Sequence, residues 1–289
     1  MTTTSEYLSV SQNLSRYQAM TAAEPAVKTA TDYYTSNIGG VNSIADLVGN
    51  YRLLSYALDA YGLGAYVNDT ALVTKVLQGG VTNSKSLANT LGNPQWQAFA
   101  KAFDFVDQGA PSISSESAVA ATTGDYVENQ LENDEGQQDP GVQLALYFQR
   151  VAPTVTNAYE ILGDPNLLKV VQTIFGLPPE TGSTNIDQEA SVISKLVPLS
   201  SLQDPKTLQT LVTRFTAMYD LDYGPASNSP NGLTVSSDGS SSGPSAASTI
   251  LSGVISSTGS SLASLNASSS GLFSDQLLDS LQGLTLGGV

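Results

Sequence analysis

The sequence predicts an all-α fold: two tandem repeated helical bundles followed by a low-complexity Ser/Gly-rich C-terminal tail. Three observations carry that expectation. Residues 33–63 recur without a gap at 147–177, an offset of 114 positions (147 − 33), and an internal repeat sets architecture before any other signal. Seven positions are identical: Tyr33/Tyr147, Val41/Val155, Gly49/Gly163, Leu53/Leu167, Leu54/Leu168, Gly62/Gly176 and Leu63/Leu177. Apolar residues around them fall at helical spacing. Cap residues or prolines precede these apolar runs and glycines follow them, as helix starts and stops require.

Residues 1–24 are polar with spaced apolar positions at Tyr7, Leu8, Leu14, Tyr17 and Met20. They read as a helix that docks on the body or on a partner, with a loose Thr/Ser-rich tip. Residues 25–108 form the first unit. Pro25 suits a first helical turn, and 26–38 reads as a helix. A short helix at 43–48 is capped by Asn42 or Ser43 and ended by Gly49. Within 51–61, Leu54, Leu58 and Tyr61 share one stripe, flanked by Leu53 and Ala57, and Gly62 stops the helix. Asp69 opens a helix that Gly79 and Gly80 close. Asn93-Pro94 opens another, in which Trp96, Phe99 and Phe103 form a buried stripe.

Residues 109–139 read as a connector, with the acidic run Glu132-Asn133-Asp134-Glu135-Gly136 and a short helix around Tyr126, Val127 and Leu131. Residues 140–221 form the second unit. Asp139-Pro140, Asp164-Pro165 and Asp204-Pro205 each pair a cap with a first-turn proline. Leu202, Pro205, Leu208, Leu211 and Phe215 echo Leu91, Pro94, Trp96, Phe99 and Phe103. The two units are expected to pack as a pseudo-twofold pair, with Leu54 and Leu168 in the cores. Residues 222–289 are the Ser/Gly-rich tail, ending in an amphipathic segment with Phe273, Leu277, Leu278, Leu281 and Leu284. Such serine-rich chain buries too little apolar surface to offset its entropy, so its spaced leucines suggest ordering against a partner.

Composition excludes several functions. The net charge of −15, from 26 acidic and 11 basic residues, opposes binding to nucleic acid or to an anionic membrane surface. With no cysteine and no histidine, disulfides, thiolate or imidazole metal sites and Ser-His or Cys-His catalysis are excluded. That double absence is common in proteins that assemble outside the cell. No cleaved export signal is read at the start, and no run approaches the roughly 18 apolar residues of a membrane span.

The remaining chemical motifs are weak. Gly239-Ser240-Ser241-Ser242-Gly243 has the letters of a nucleophile elbow without the histidine it needs. The acidic run lacks the spacing of a calcium loop. No carboxylate pair stands in an aromatic, sugar-binding context. Gly62-Leu63-Gly64 reads as a helix stop rather than a phosphate loop, because its copy is Gly176-Leu177-Pro178.

Tyr33-Tyr34, then Asn50-Tyr51-Arg52-Leu53-Leu54, Ala57 and Tyr61-Gly62-Leu63, resemble a family of paired helical domains found chiefly in alphaproteobacteria. Leu91, Asn93, Pro94, Phe99 and Phe103 carry the same resemblance, as do Thr3, Tyr7 and Leu8. This is a domain of unknown function, number twelve-seventeen, often encoded among flagellar genes. The serine-rich tail departs from its shorter members, and the family brings no catalytic or binding residues with it. The resemblance implies a non-catalytic structural or accessory protein of the bacterial flagellum, exported and assembling through its terminal segments. Leu8, Leu14, Tyr17, Leu277, Leu281 and Leu284 are the expected assembly residues. Its partners would be flagellar components or further copies of itself, without nucleic acid, membrane insertion, metal or cofactor. The alternative is a cytoplasmic helical adaptor or chaperone in flagellar assembly.

Overall fold

Many helix starts in this chain are fixed by side chains that accept backbone N–H groups. The computed structural model describes residues 1–178 and 185–223. Among them every regular element is helical. The first part of the chain gives α1 (Thr3–Gln12), α2 (Leu14–Ala23), α3 (Pro25–Asn37), α4 (Ile44–Gly49) and α5 (Tyr51–Ala60). It continues with α6 (Thr70–Gly79), α7 (Leu87–Thr90), α8 (Pro94–Ala102), α9 (Ala110–Ile113) and α10 (Glu116–Gln138). Then follow α11 (Pro140–Val151), α12 (Ala158–Gly163), α13 (Pro165–Phe175), α14 (Ile186–Leu196), α15 (Leu199–Gln203) and α16 (Pro205–Tyr223).

Helix boundaries recur along the chain. The starts of α4 and α5 at residues 44 and 51 return at 158 and 165 for α12 and α13, again 114 positions on (158 − 44). The caps explain why. Ser43 accepts from the Asp46 N–H while Asp46 accepts from the Asn42 N–H. In the second copy Asn157 accepts from the Glu160 N–H while Glu160 accepts from the Thr156 N–H. Both are reciprocal capping pairs, which satisfy donors that a helix start leaves orphaned. Asn50 caps α5 and Asp164 caps α13 in the same way. At the far end, Gly176 has φ +62°, the left-handed value that closes α13 and returns the Leu177 N–H to Gln172.

Two apolar cores result. The first joins α3 to α8 and includes Leu53, Leu54, Leu58, Trp96, Phe99 and Phe103, the stripes expected from spacing. Tyr34, Tyr56 and Tyr126 stack through it with ring centroids 4.5 and 3.9 Å apart. Burial there pushes the Tyr34 hydroxyl up to about 12. The second core is built by α11 to α16 around Phe148, Leu167, Val171 and Phe215.

Three expectations are corrected. The connector at 109–139 is mostly α10, a helix of 23 residues capped by Ser115. It packs against α2, α3, α5 and α11, so its buried residues point several ways and leave no single apolar stripe. Tyr126 enters the first core and Leu131 the second. Glu132 and Glu135, expected in a solvated run, are buried.

The N-terminal tip is held rather than loose. Thr2 caps α1, and the Thr3 and Thr4 N–H groups donate to the Asp220 carboxylate near the end of α16 at 2.6 and 3.0 Å. A carboxylate is favourable at a helix N-terminus, where the dipole and free donors meet it. The Thr3 hydroxyl also donates to Asp139 at 2.7 Å. Tyr7 is fully buried in the second core. Helix α1 therefore docks on the body, against α11 and α16.

The third correction concerns Leu168, which packs only partly buried against the second core, whereas its copy Leu54 is 1% exposed. In urea denaturation, Leu54→Ala should lower stability by about 2–5 kcal/mol, the cost of a buried leucine cavity. Leu168→Ala should cost clearly less. Equal losses at the two sites would show that the cores are placed wrongly.

Candidate functional site

Polar chemistry concentrates where α10 crosses α11, between the two cores. Arg150 lies in the last turn of α11, and its Nε and Nη2 donate to Glu132 Oε1 and Oε2 at 2.7 and 2.8 Å. Such a two-pronged pair fixes direction as well as charge. Glu128 stands one turn back on α10, 3.9 Å from Nε, and accepts from Gln18 of α2 at 2.8 Å. The guanidinium also lies 5.5 Å from the Tyr147 ring centre, and the Tyr147 hydroxyl donates to the Asp164 carboxylate that caps α13. A continuous polar chain thus ties α2, α10, α11 and α13.

Burial sets the titration of this seam. It would depress the Arg150 guanidinium, but the combined pull of Glu132, Tyr147 and Glu128 leaves it above its ordinary value. Burial raises Asp125 and Glu128, with Arg150 pulling both back down. Tyr147 is raised by burial and then by the negative charge of Asp164. In the first unit the neutral Asn50 stands where Asp164 does. Asn50 Nδ2 donates to the Tyr33 hydroxyl at 3.2 Å, and the Arg52 guanidinium sits 3.6 Å over the Tyr33 ring.

Beside the seam is a polar cleft of about 320 Å³ lined by Asp59, Gln95, Asn129, Asn133, Gln143 and Asn166. Its amides form a relay: Gln143 donates to Asn133, which donates to Asn129, each at 3.0 Å. Burial raises Asp59, which accepts from Ser55 at 3.3 Å. The cleft offers hydrogen-bonding groups without a nucleophile–base pair. Among the described residues no cluster of three or more acidic groups is placed to hold a metal ion.

A second, more apolar groove of about 450 Å³ lies between the 89–92 corner and α12. Leu91, Tyr159 and Ile186 line it and are 36%, 45% and 55% exposed. At its base the two units meet backbone to backbone, because a Cβ on Gly163 would lie 2.3 Å from the Gly92 carbonyl oxygen.

Of the expected assembly residues, Leu8, Leu14 and Tyr17 pack partly buried against the second core of their own chain. Leu277, Leu281 and Leu284 lie outside the described residues, as does the Gly239–Gly243 motif. Among the described residues no helix is long and apolar enough to cross a membrane. The seam itself was missed by motif reading. Its signal was an arginine in a chain poor in basic residues, one helix-length from an acidic run.

A family model described as "Protein of unknown function (DUF1217)" matches residues 60–208. An X-ray structure of a protein from Agrobacterium tumefaciens is similar over 76% of this chain and 93% of that one, with 34% sequence identity and a TM-score of 0.71. Among curated proteins, none matches.

Replacing Arg150 by Met would leave Glu132 buried without its partner. Removing one member of a buried pair costs about 3–5 kcal/mol. Arg150→Met should therefore be strongly destabilising in urea, and Glu132→Leu on that background should recover part of the loss. A single variant that melts like the parent would show that the pair does not hold α10 to α11.

Proposed function

The chain belongs to the family described as "Protein of unknown function (DUF1217)", and from that premise we propose that it is a non-catalytic structural or accessory protein of the bacterial flagellum. It works by contacts with other protein chains and is exported to the place where it assembles. The observation that carries the non-catalytic part is how the polar groups are used. The strongest charge constellation, Arg150 with Glu132 and Tyr147 with Asp164, is satisfied internally and joins helices. The sequence contains neither histidine nor cysteine to supply a base or thiol nucleophile. The flagellar part is supported by the resemblance carried by Tyr33-Tyr34 and Asn50 to Leu54, and by the low charge content of the chain.

One observation favours the second reading, a cytoplasmic helical adaptor in flagellar assembly. The N-terminal helix is integrated into the fold through Tyr7 and the Asp220 contacts, as in a protein that acts while folded. Location separates the two readings. An epitope inserted after Gln108, in the exposed turn before α9, leaves both ends free. Cell, medium and sheared-appendage fractions are compared in strains with and without a working flagellar export gate. Gate-dependent recovery outside the cell is expected. Retention inside both strains would contradict the structural role and favour the adaptor.

A further inference from the structure

The polar cleft beside the seam holds hydrogen-bonding groups that the fold does not use. Its amide relay has a direction. Asn133 Oδ1 accepts from Gln143 Nε2, and Asn133 Nδ2 donates to Asn129 Oδ1. An amide accepts at its oxygen and donates at its nitrogen, so the relay ends on Asn129 Nδ2. That nitrogen has no partner among the described residues, although Asn129 lines the cleft and is only 9% exposed. An unpaired donor on so buried a side chain is costly, and native structures seldom keep one without a use for it.

Three more groups reach the same cleft from other helices. A Cβ built on Gly62 would lie 2.5 Å from Gln95 Nε2 and 3.6 Å from Asn129 Nδ2, so two N–H donors face one backbone corner. Gly62 has φ +71°, a value that favours glycine and keeps that corner free of a side chain. A Cβ on Gly64 would collide with Asp59 Oδ1. That oxygen accepts nothing among the described residues, since Ser55 donates to Oδ2. Asn166 of α13 adds an amide from the second unit. The side-chain amides of Gln95 and Asn166 make no hydrogen bond among the described residues.

We propose that this cleft binds a small polyhydroxylated molecule, one sugar or cyclitol ring in size, through Gln95, Asn129, Asp59 and Asn166. A hydroxyl both accepts and donates. One hydroxyl oxygen accepts from Gln95 and Asn129, and a neighbouring hydroxyl donates to Asp59. Other chemistries fit less well. An anion would meet Asp59 and Glu132 in a chain of net charge −15. A cation would face the paired N–H donors. A lone carboxamide would satisfy that pair and Asp59 but leave Asn166 unmet. The volume of about 320 Å³ lies within the roughly 300–1,000 Å³ of small-molecule sites. Burial raises Asp59, and a hydroxyl donated to its charged form offsets that penalty. Binding here is a property beyond the structural role and does not depend on it.

Saturation-transfer NMR on the full-length protein tests this, with glucose, ribose and myo-inositol as probes beside putrescine, acetate and acetamide. At least one polyol should give a signal that saturates in the millimolar range and exceeds all three of the other compounds. Weak binding is expected because each hydrogen bond replaces one to water. Gln95→Ala and Asn166→Ala each remove a cleft amide that bonds to nothing in the protein. Both should keep the parent's melting temperature and bind the polyol several-fold more weakly. Gln203→Ala, exposed and outside the cleft, should bind like the parent. The proposal is overturned if no polyol signal saturates, if putrescine, acetate or acetamide binds better, or if both cleft variants bind like the parent. A lowered melting temperature in both cleft variants also overturns it, because the amides would then serve the fold. None of these results touches gate-dependent export, which is measured separately.

Discussion

A guanidinium held mostly out of water must be met by acid, and here the acid comes from a different helix. Arg150 of α11 is 21% exposed in its side chain and meets Glu132 of α10, which is 6% exposed. Taking either charge from water costs several kcal/mol, so the pair is tolerable only complete and well aligned. That requirement fixes the register of α10 against α11. With the register fixed, Tyr126 falls into the first core and Leu131, five residues on, into the second. Tyr147 and Asp164 extend the constraint to the start of α13, and Glu128 with Gln18 extends it to α2. The seam is therefore what makes two apolar cores into one body, and the described residues form a single compact unit.

The repeat shows which interactions the architecture needs twice. Capping pairs recur at Ser43/Asp46 and Asn157/Glu160, and a tyrosine meets the next cap residue in both copies, Tyr33 with Asn50 and Tyr147 with Asp164. These set helix starts and the angle between short helices. The arginine over the tyrosine does not recur in place. Arg52 belongs to α5 and stacks closely on Tyr33, whereas Arg150 belongs to α11 and reaches away from Tyr147 toward Glu132. One copy uses its cation for an aromatic face at the surface, the other for the joint between cores.

Local signals carried most of the helices. Asp139, Asp164 and Asp204 before prolines marked three starts, Gly62 and Gly176 marked two stops, and the Trp96–Phe99–Phe103 stripe marked core. What escaped was non-local. Helix α10 packs against several other helices, so no periodicity singled out its face, and its buried Glu132 looked like a solvent residue until Arg150 was placed beside it. The docking of α1 depends on Asp220, more than two hundred residues away in sequence. Leu168 shares its identity with Leu54 but not its burial, because identical residues in a repeat inherit a position on the helix and not the neighbours around it.

The central claim is that the Arg150–Glu132 seam makes the two cores one cooperative unit. The chain has a single tryptophan, Trp96, and it lies in the first core. Its fluorescence reports that core, while the helical circular dichroism signal reports both. Followed together through urea, the two signals should trace one coincident transition, the mark of two-state unfolding. A Trp96 transition separated from the loss of helix would show that the cores unfold independently and would contradict the account.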